Sequence, residues 1–231
     1  MKTSDFDSYA GNYSTELNKW LAVTGESVDY YAEQRVLHLA RRLKQLDMTP
    51  TNILDFGCGT GTATPYFLRH LAVGSVLGID VSEESLQTAS LQFAGLPASF
   101  TNISRFEPRG DVDLVFCNGV FHHIPPADRM DALRLIYRAL RGRGLFAFWE
   151  NNPWNPGTQW IMSRVPFDRD AIKISPLEAR HLLRSTGFRI LATDALFLFP
   201  RALRWFRPLE NLFVKIPLGG QYLVLCLKDG D

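Results

Sequence analysis

Leu54-Asp55-Phe56-Gly57-Cys58-Gly59-Thr60-Gly61 decides how this chain is read. The run is apolar, then acidic, then glycine at every second position, which is the pattern of a buried strand turning sharply into a helix. Gly57, Gly59 and Gly61 supply either positive φ or room for a ligand to touch the backbone. A helix predicted over residues 62–71 would aim its free amides at that ligand. Such a turn alone is a weak signal, and its surroundings decide. Ser75-Val76-Leu77-Gly78-Ile79 reads as the next strand and ends in Asp80, a carboxylate about 20 residues beyond the turn, where it can accept hydrogen bonds from both hydroxyls of a ribose.

Working outward, strand and helix alternate with few breaks. Helices are predicted over 31–46, 83–94, 127–141 and 176–185, and strands over 98–103, 112–117, 144–149, 188–199 and 221–228. Met130, Leu133, Ile136, Tyr137 and Leu140 recur every three or four residues, the mark of one helix face lying on a sheet. The alternation is βαβα and indicates a mostly parallel sheet. Tyr222-Leu223-Val224-Leu225-Cys226-Leu227 is apolar on both faces, so the last strand lies inside that sheet.

Three motifs together resemble the class I S-adenosylmethionine-dependent methyltransferases, of the type 11/12 group. They are Leu54 to Gly61, then Gly78-Ile79-Asp80-Val81-Ser82, then Asp113-Leu114-Val115-Phe116-Cys117-Asn118-Gly119-Val120-Phe121-His122-His123-Ile124. Order and spacing agree over residues 50–150. Residue 62 is Thr, so the G-x-G-x-x-G of nicotinamide enzymes is not met. The resemblance implies a doubly wound, seven-stranded, Rossmann-like α/β sheet whose last strand runs antiparallel between the fifth and sixth. It implies a single domain with an N-terminal helical lid over 1–48, a cofactor-binding core over 49–150, and an acceptor-site loop with C-terminal strands over 151–231. It also implies S-adenosylmethionine as cofactor and S-adenosylhomocysteine as product. Asp55, Gly57, Cys58, Gly59 and Gly61 then surround the methionine part, Asp80 holds the ribose, Val81 lies against adenine, and Asn118 borders the methionine end. An acidic residue common in the family's third strand is absent from Thr101-Asn102-Ile103-Ser104, and Asn102 or Ser104 stands in its place.

A sulfonium is already a good leaving group, so the chain has to hold an acceptor in line with the methyl carbon and manage one proton. Positioning of that kind can save about 7–11 kcal/mol of barrier. His122 and His123 follow the fourth strand, and histidine titrates near neutrality as a general base should; Glu150 is the rival base. None is needed if the acceptor is already ionised. Glu150-Asn151-Asn152-Pro153-Trp154-Asn155-Pro156-Gly157 leaves a strand end where open α/β sheets bind ligands, making it a candidate acceptor wall. Asn151 and Trp154 there, with Tyr13 from the leader and Arg169, are candidate substrate contacts; Tyr9 and Arg35 are candidate lid contacts. Arg201, Arg204 and Arg207 fall at three-residue spacing beside Trp205 and Phe206. That segment is either a weak grip for an anionic lipid head group or a short helix with its aromatics buried and its arginines in water.

Bulk properties narrow the function further. At 231 residues, 46% hydrophobic and 21% charged, the chain can bury a sizeable core. A net charge of +1 gives no electrostatic footprint for nucleic acid. Three cysteines, each in a motif or an apolar strand, read as buried free thiols of a cytoplasmic protein. The histidines and cysteines show no metal-ligand spacing, and no run suits a signal peptide or stable membrane insertion. The expected function is methyl transfer to a small-molecule acceptor, on oxygen, with carbon or nitrogen transfer, or a non-catalytic cofactor-binding module, as the alternatives. The acceptor's identity and the oligomeric state are not legible.

Overall fold

A computed structural model describes residues 19–165, 168 and 171–230. A seven-stranded sheet is formed by β1 (Asn52–Phe56), β2 (Ser75–Asp80), β3 (Ala98–Asn102), β4 (Val112–Asn118), β5 (Leu140–Asn151), β6 (Phe188–Leu196) and β7 (Gln221–Lys228). Its order is β3-β2-β1-β4-β5-β7-β6. The first five strands are parallel, while β7 runs antiparallel to both β5 and β6. This is the expected doubly wound arrangement, with the last strand inserted between the fifth and sixth.

Alternation along the strands builds a core on each face. On β4, Val115 and Cys117 join Phe121, Leu133 and Ile136 on one side, whereas Leu114 and Phe116 meet Leu39 and Phe67 on the other. The second face is covered by α1 (Val28–Gln45), which Ser27 caps by accepting a hydrogen bond from the Tyr30 amide. Val36, Leu39 and Leu43 recur at helical spacing and are buried, and Arg35, His38 and Arg42 follow the same rhythm on the inward side. α2 (Thr64–His70) and α3 (Glu83–Gln92) follow β1 and β2, and α4 (Arg129–Ala139) lays Leu133, Ile136 and Ala139 on the sheet.

Some boundaries differ from those read in the sequence. β5 begins at Leu140, directly where α4 ends, because Arg143 takes a positive φ of 61° inside a register irregularity between β4 and β5. β6 stops at Leu196, since Phe197 turns the chain away with φ 64°. The polar stretch after β5 contains a helix, α5 (Pro156–Arg164), started by Asn155 accepting from the Thr158 amide and by Pro156 in the first turn. α6 (Pro176–Ser185) carries a full capping box between Ser175 and Glu178. A kinked 3-10 helix (Arg201–Leu209) runs into α7 (Glu210–Phe213). The three cysteines are free and buried. Among the described residues no helix is long and apolar enough to cross a membrane.

Because β1 is flanked by β2 on one side and β4 on the other, the strand order reverses there. The carboxyl ends of β1, β2, β4 and β5 therefore border a crevice, the place where open α/β sheets receive ligands.

Candidate active site

The glycine turn is held by backbone bonds from Gly57 and Cys58 to the Ile79 carbonyl, at 2.8 and 3.1 Å. Gly57 has φ 73°, and a Cβ there would overlap Val120, so no other residue fits. Gly59 differs: its φ is 53°, but the space a Cβ would occupy is open. The Gly59 amide donates to Asp80 Oδ2 at 2.8 Å, and the Ser82 amide to Oδ1 at 3.0 Å. Each carboxylate oxygen thus keeps capacity to accept another hydrogen bond. Asp55 is buried beneath the turn. Burial first, and the charge of Asp80 second, raise its pKa to about 7 against the pull of Arg35. Burial also pushes the Cys58 thiol well up, which leaves it an inert packing group.

Asn102 is occupied with local structure. Its Nδ2 donates to the Val81 carbonyl at 3.1 Å, and its Oδ1 accepts from the Ser104 amide and hydroxyl. It shapes the loop that presents the half-exposed Val81. Asn118, at the end of β4, has a buried Oδ1 with no hydrogen-bond partner among the described residues.

A cavity of about 350 Å³ opens beside Asn118 and Gly119. Tyr30, Tyr31 and Arg35 wall it from α1, Ile161 and Met162 from α5, and Arg207 from the 3-10 helix. Arg35 Nη1 donates to Gln221 Oε1 at 2.8 Å, and Gln221 Nε2 donates to Asn151 Oδ1 at 3.0 Å, a relay joining α1, β7 and the end of β5. Arg207 pairs with Glu26 at 2.9 Å, donates to the Phe199 carbonyl and lies over the Tyr30 ring at 4.8 Å.

His122, on the cavity wall, is clamped between two carboxylates. Its Nδ1 is 2.6 Å from Glu150 Oε2 and its Nε2 is 3.4 Å from Asp168 Oδ1. Burial disfavours the charged ring, but the charge of Glu150 and the bonds to Asp168 and Glu150 outweigh it and raise the pKa to about 10. This removes His122 from the neutral range expected of a general base. Glu150 is 1% exposed, and its oxygens accept from the amides of Phe121 and His122 and from the His122 ring, so it orients the histidine and does not face the cavity. Burial, the first influence on Asp168, pushes its pKa up, yet hydrogen bonds from His122 and His123 bring it down to about 2. His123 lies 3.3 Å from the same Asp168 oxygen, and burial lowers its pKa.

The sequence-predicted residues are thus only partly assembled. Asn118, His122 and Asn151 line the cavity, while Asp80 and the glycine turn are joined to each other at the ends of β1 and β2, outside its lining. Trp154 is 42% exposed and lies outside the cavity, because Asn152 and Asn155 stitch its loop to the carbonyls of Pro217, Leu218 and Gly219. Tyr9, Tyr13 and Arg169 fall outside the described residues. The three arginines do not share a role: Arg201 bonds the Gly25 carbonyl, Arg204 stacks on Trp205, and Arg207 turns inward. Sequence reading missed Gln221 and gave Asp168 no role, and no local signal marks either one. It missed the α5 wall too, although Asn155-Pro156 was a helix-start signal.

Residues 54–146 match the family model described as a methyltransferase domain. Trans-aconitate 2-methyltransferase of Rhodopseudomonas palustris strain BisB18 is 30% identical over 118 residues, covering 51% of this chain and 45% of that one. The probable methyltransferase ltbC of Aspergillus luteorubrus is 31% identical over 129 residues, covering 50% and 44%. The matched stretch therefore spans less than half the length of these relatives. Among solved structures, the plantazolicin methyltransferase BpumL, in complex with SAH, aligns with a TM-score of 0.65 at 16% identity over 98% of this chain and 90% of that one. A TehB-like methyltransferase of Corynebacterium glutamicum gives 0.62 at 20% identity over 96% and 98%, a likeness of fold. Residues 54–146 thus match a methyltransferase-domain model, and the chain shares its fold with solved S-adenosylmethionine-dependent methyltransferases.

Proposed function

We propose that this chain methylates an oxygen of a small, partly apolar acceptor that carries a carboxylate, with S-adenosylmethionine as the donor. The crevice suits that cofactor: Gly59 leaves its outer side open, Asp80 keeps spare lone pairs for a ribose, and the buried Asn118 Oδ1 lacks a donor that an ammonium could supply. Asp80, Gly59, Asn118 and Val81 would hold it, and when bound it supplies a methyl group on a sulfonium leaving group.

The observation that carries the reading is the state of His122. Held between Glu150 and Asp168, it keeps its proton through the neutral range, so the cavity offers an imidazolium and the guanidinium groups of Arg35 and Arg207. A carboxylate oxygen needs no base, and the guanidinium groups of Arg35 and Arg207 offer it charge-assisted hydrogen bonds. The work left to the chain is orientation: the guanidinium groups fix the acid, while Ile161 and Met162 cover its apolar part and exclude water. Relatives named for trans-aconitate, a small carboxylic acid, support the same acceptor class.

Incubating the protein with isotopically labelled S-adenosylmethionine and a panel of small carboxylic acids, phenols and amines tests this. The expected product is a base-labile methyl ester, formed without the acid limb that a neutral histidine base would impose. Label found only in base-stable ethers, N-methyl or C-methyl products would discard the carboxylate reading.

A further inference from the structure

We infer that His122, His123 and Asp168 form a binding site for a divalent cation of the zinc type, open on the acceptor cavity. One ligand atom from each lies within 4.8 Å of the others. Asp168 Oδ1 is 3.4 Å from His122 Nε2 and 3.3 Å from His123 Nε2. Bonds of about 2.0–2.1 Å to a tetrahedral ion imply edges of about 3.3–3.4 Å between ligand atoms, so two edges of that tetrahedron are already at length. Turning one imidazole closes the third.

The support behind the ligands argues for a built site. Glu150 Oε2 takes the Nδ1 side of His122, which leaves Nε2 directed at Asp168; a carboxylate behind a histidine is the arrangement that fixes and strengthens a metal-bound imidazole. Glu150 is itself anchored by the Phe121 amide at 2.8 Å. The two ligand segments are tied together as well. The Ile172 amide donates to the His122 carbonyl at 3.0 Å, and the buried Arg129 bonds the carbonyls of Phe121, Ile124 and Ile172. Asp168 comes from 46 residues beyond His122, which is why spacing along the chain did not reveal the set.

Two imidazoles and one carboxylate suit zinc, cobalt or iron(II) better than magnesium or calcium, which favour oxygen ligands. An ion here takes the place of the proton between His122 and Asp168. Since His122 and Asp168 line the cavity, the open coordination position faces the acceptor, where the ion would bind and orient a carboxylate oxygen. Either occupant keeps a positive charge at that point of the wall.

Tag-free protein stripped with a chelator is titrated with Zn²⁺ by calorimetry, with Mg²⁺ in parallel, and with Co²⁺ followed by visible absorption. The expected result is one Zn²⁺ per chain at micromolar Kd or tighter, no Mg²⁺ binding at about 1 mM, and cobalt bands of a nitrogen–oxygen ligand field. His123→Ala and Asp168→Ala should each weaken Zn²⁺ by at least about 100-fold and abolish the cobalt bands, and Glu150→Gln should weaken it by about 10–100-fold. His70→Ala, which removes the surface histidine beside Glu33, should change nothing. Absence of stoichiometric Zn²⁺ binding overturns the inference, as does unchanged affinity in His123→Ala or in the milder His123→Asn with a wild-type melting profile by circular dichroism. The measurement involves no methyl transfer, so its outcome is independent of the proposed reaction.

Discussion

Two buried carboxylate centres lie on opposite faces of the sheet and are compensated in opposite ways. Asp194 of β6 is fully buried and accepts from Arg42 Nη2 at 2.6 Å and Nε at 2.7 Å, from Lys215 Nζ at 2.7 Å, and meets His38 Nε2 at 3.0 Å. Burial alone would raise its pKa; the bonds from His38, Lys215 and Arg42 instead hold it well below the usual carboxylate range. At the cavity, Glu150 and Asp168 share two histidines, and among the described residues no salt bridge joins either carboxylate to lysine or arginine. One centre has a surplus of cations, is closed, and fastens α1 and the segment before β7 to the sheet edge. The other has a surplus of anions, opens on a cavity, and can change what neutralises it. Buried charge becomes useful to chemistry where its compensation is incomplete.

That contrast can be broken by substitution. The largest effect is expected from Asp194→Ala, which strands Arg42 and His38 beside apolar residues and should cost about 3–5 kcal/mol in urea unfolding. A loss under about 1 kcal/mol would deny the fastener role.

The pH dependence of melting, measured with a chelator present, separates the centres by sign. The depressed pKa of Asp194 contributes stability that is present above about pH 4 and is lost as pH falls towards its folded value. His122, raised to about 10, contributes stability that is complete below about pH 6.5 and lost as pH climbs through about 10. Glu150→Gln should therefore flatten the alkaline limb, and Asp194→Ala the acid one. An alkaline limb unchanged in Glu150→Gln would remove the carboxylate clamp on His122.

Smaller effects probe the cavity wall. Arg207→Gln should raise the acceptor KM about tenfold with kcat within about twofold, as for loss of a charge-assisted bond that holds ground and transition states alike. Trp154→Ala should leave turnover within about twofold and stability within about 0.5 kcal/mol, since that ring packs outside the cavity. A tenfold loss of turnover there would move the acceptor to the outer face of the loop.

Legibility followed the range of the interactions. The glycine turn and Asp80 were readable because each is a local pattern, with Gly57 and Asp80 joined through one short βαβ unit, whereas the strand order came through the resemblance that those motifs carry. His122 was readable as a site residue but not in its charge state, which depends on Glu150 and Asp168 arriving from 28 and 46 residues away. Arg207 read as a solvent or lipid contact because its partners, Glu26 and Tyr30, lie at the other end of the chain. Gln221 sits in an apolar strand, and its bonds to Arg35 across 186 residues and to Asn151 across 70 are what mark it.

The insertion of β7 between β5 and β6 also sets an order of events during synthesis. Among the described residues β6 has no other neighbour in the sheet, so it waits for residues 221–228 to leave the ribosome before it can pair with them. β1 to β4 pair only with one another and with β5, so that half of the sheet can form while the chain is still growing, with one edge of β5 left open until β7 arrives. The cavity beside Asn118 cannot, because Gly220 and Gln221 are among its walls. A nascent chain would thus pair β1 to β4 well before it closes the cavity beside Asn118.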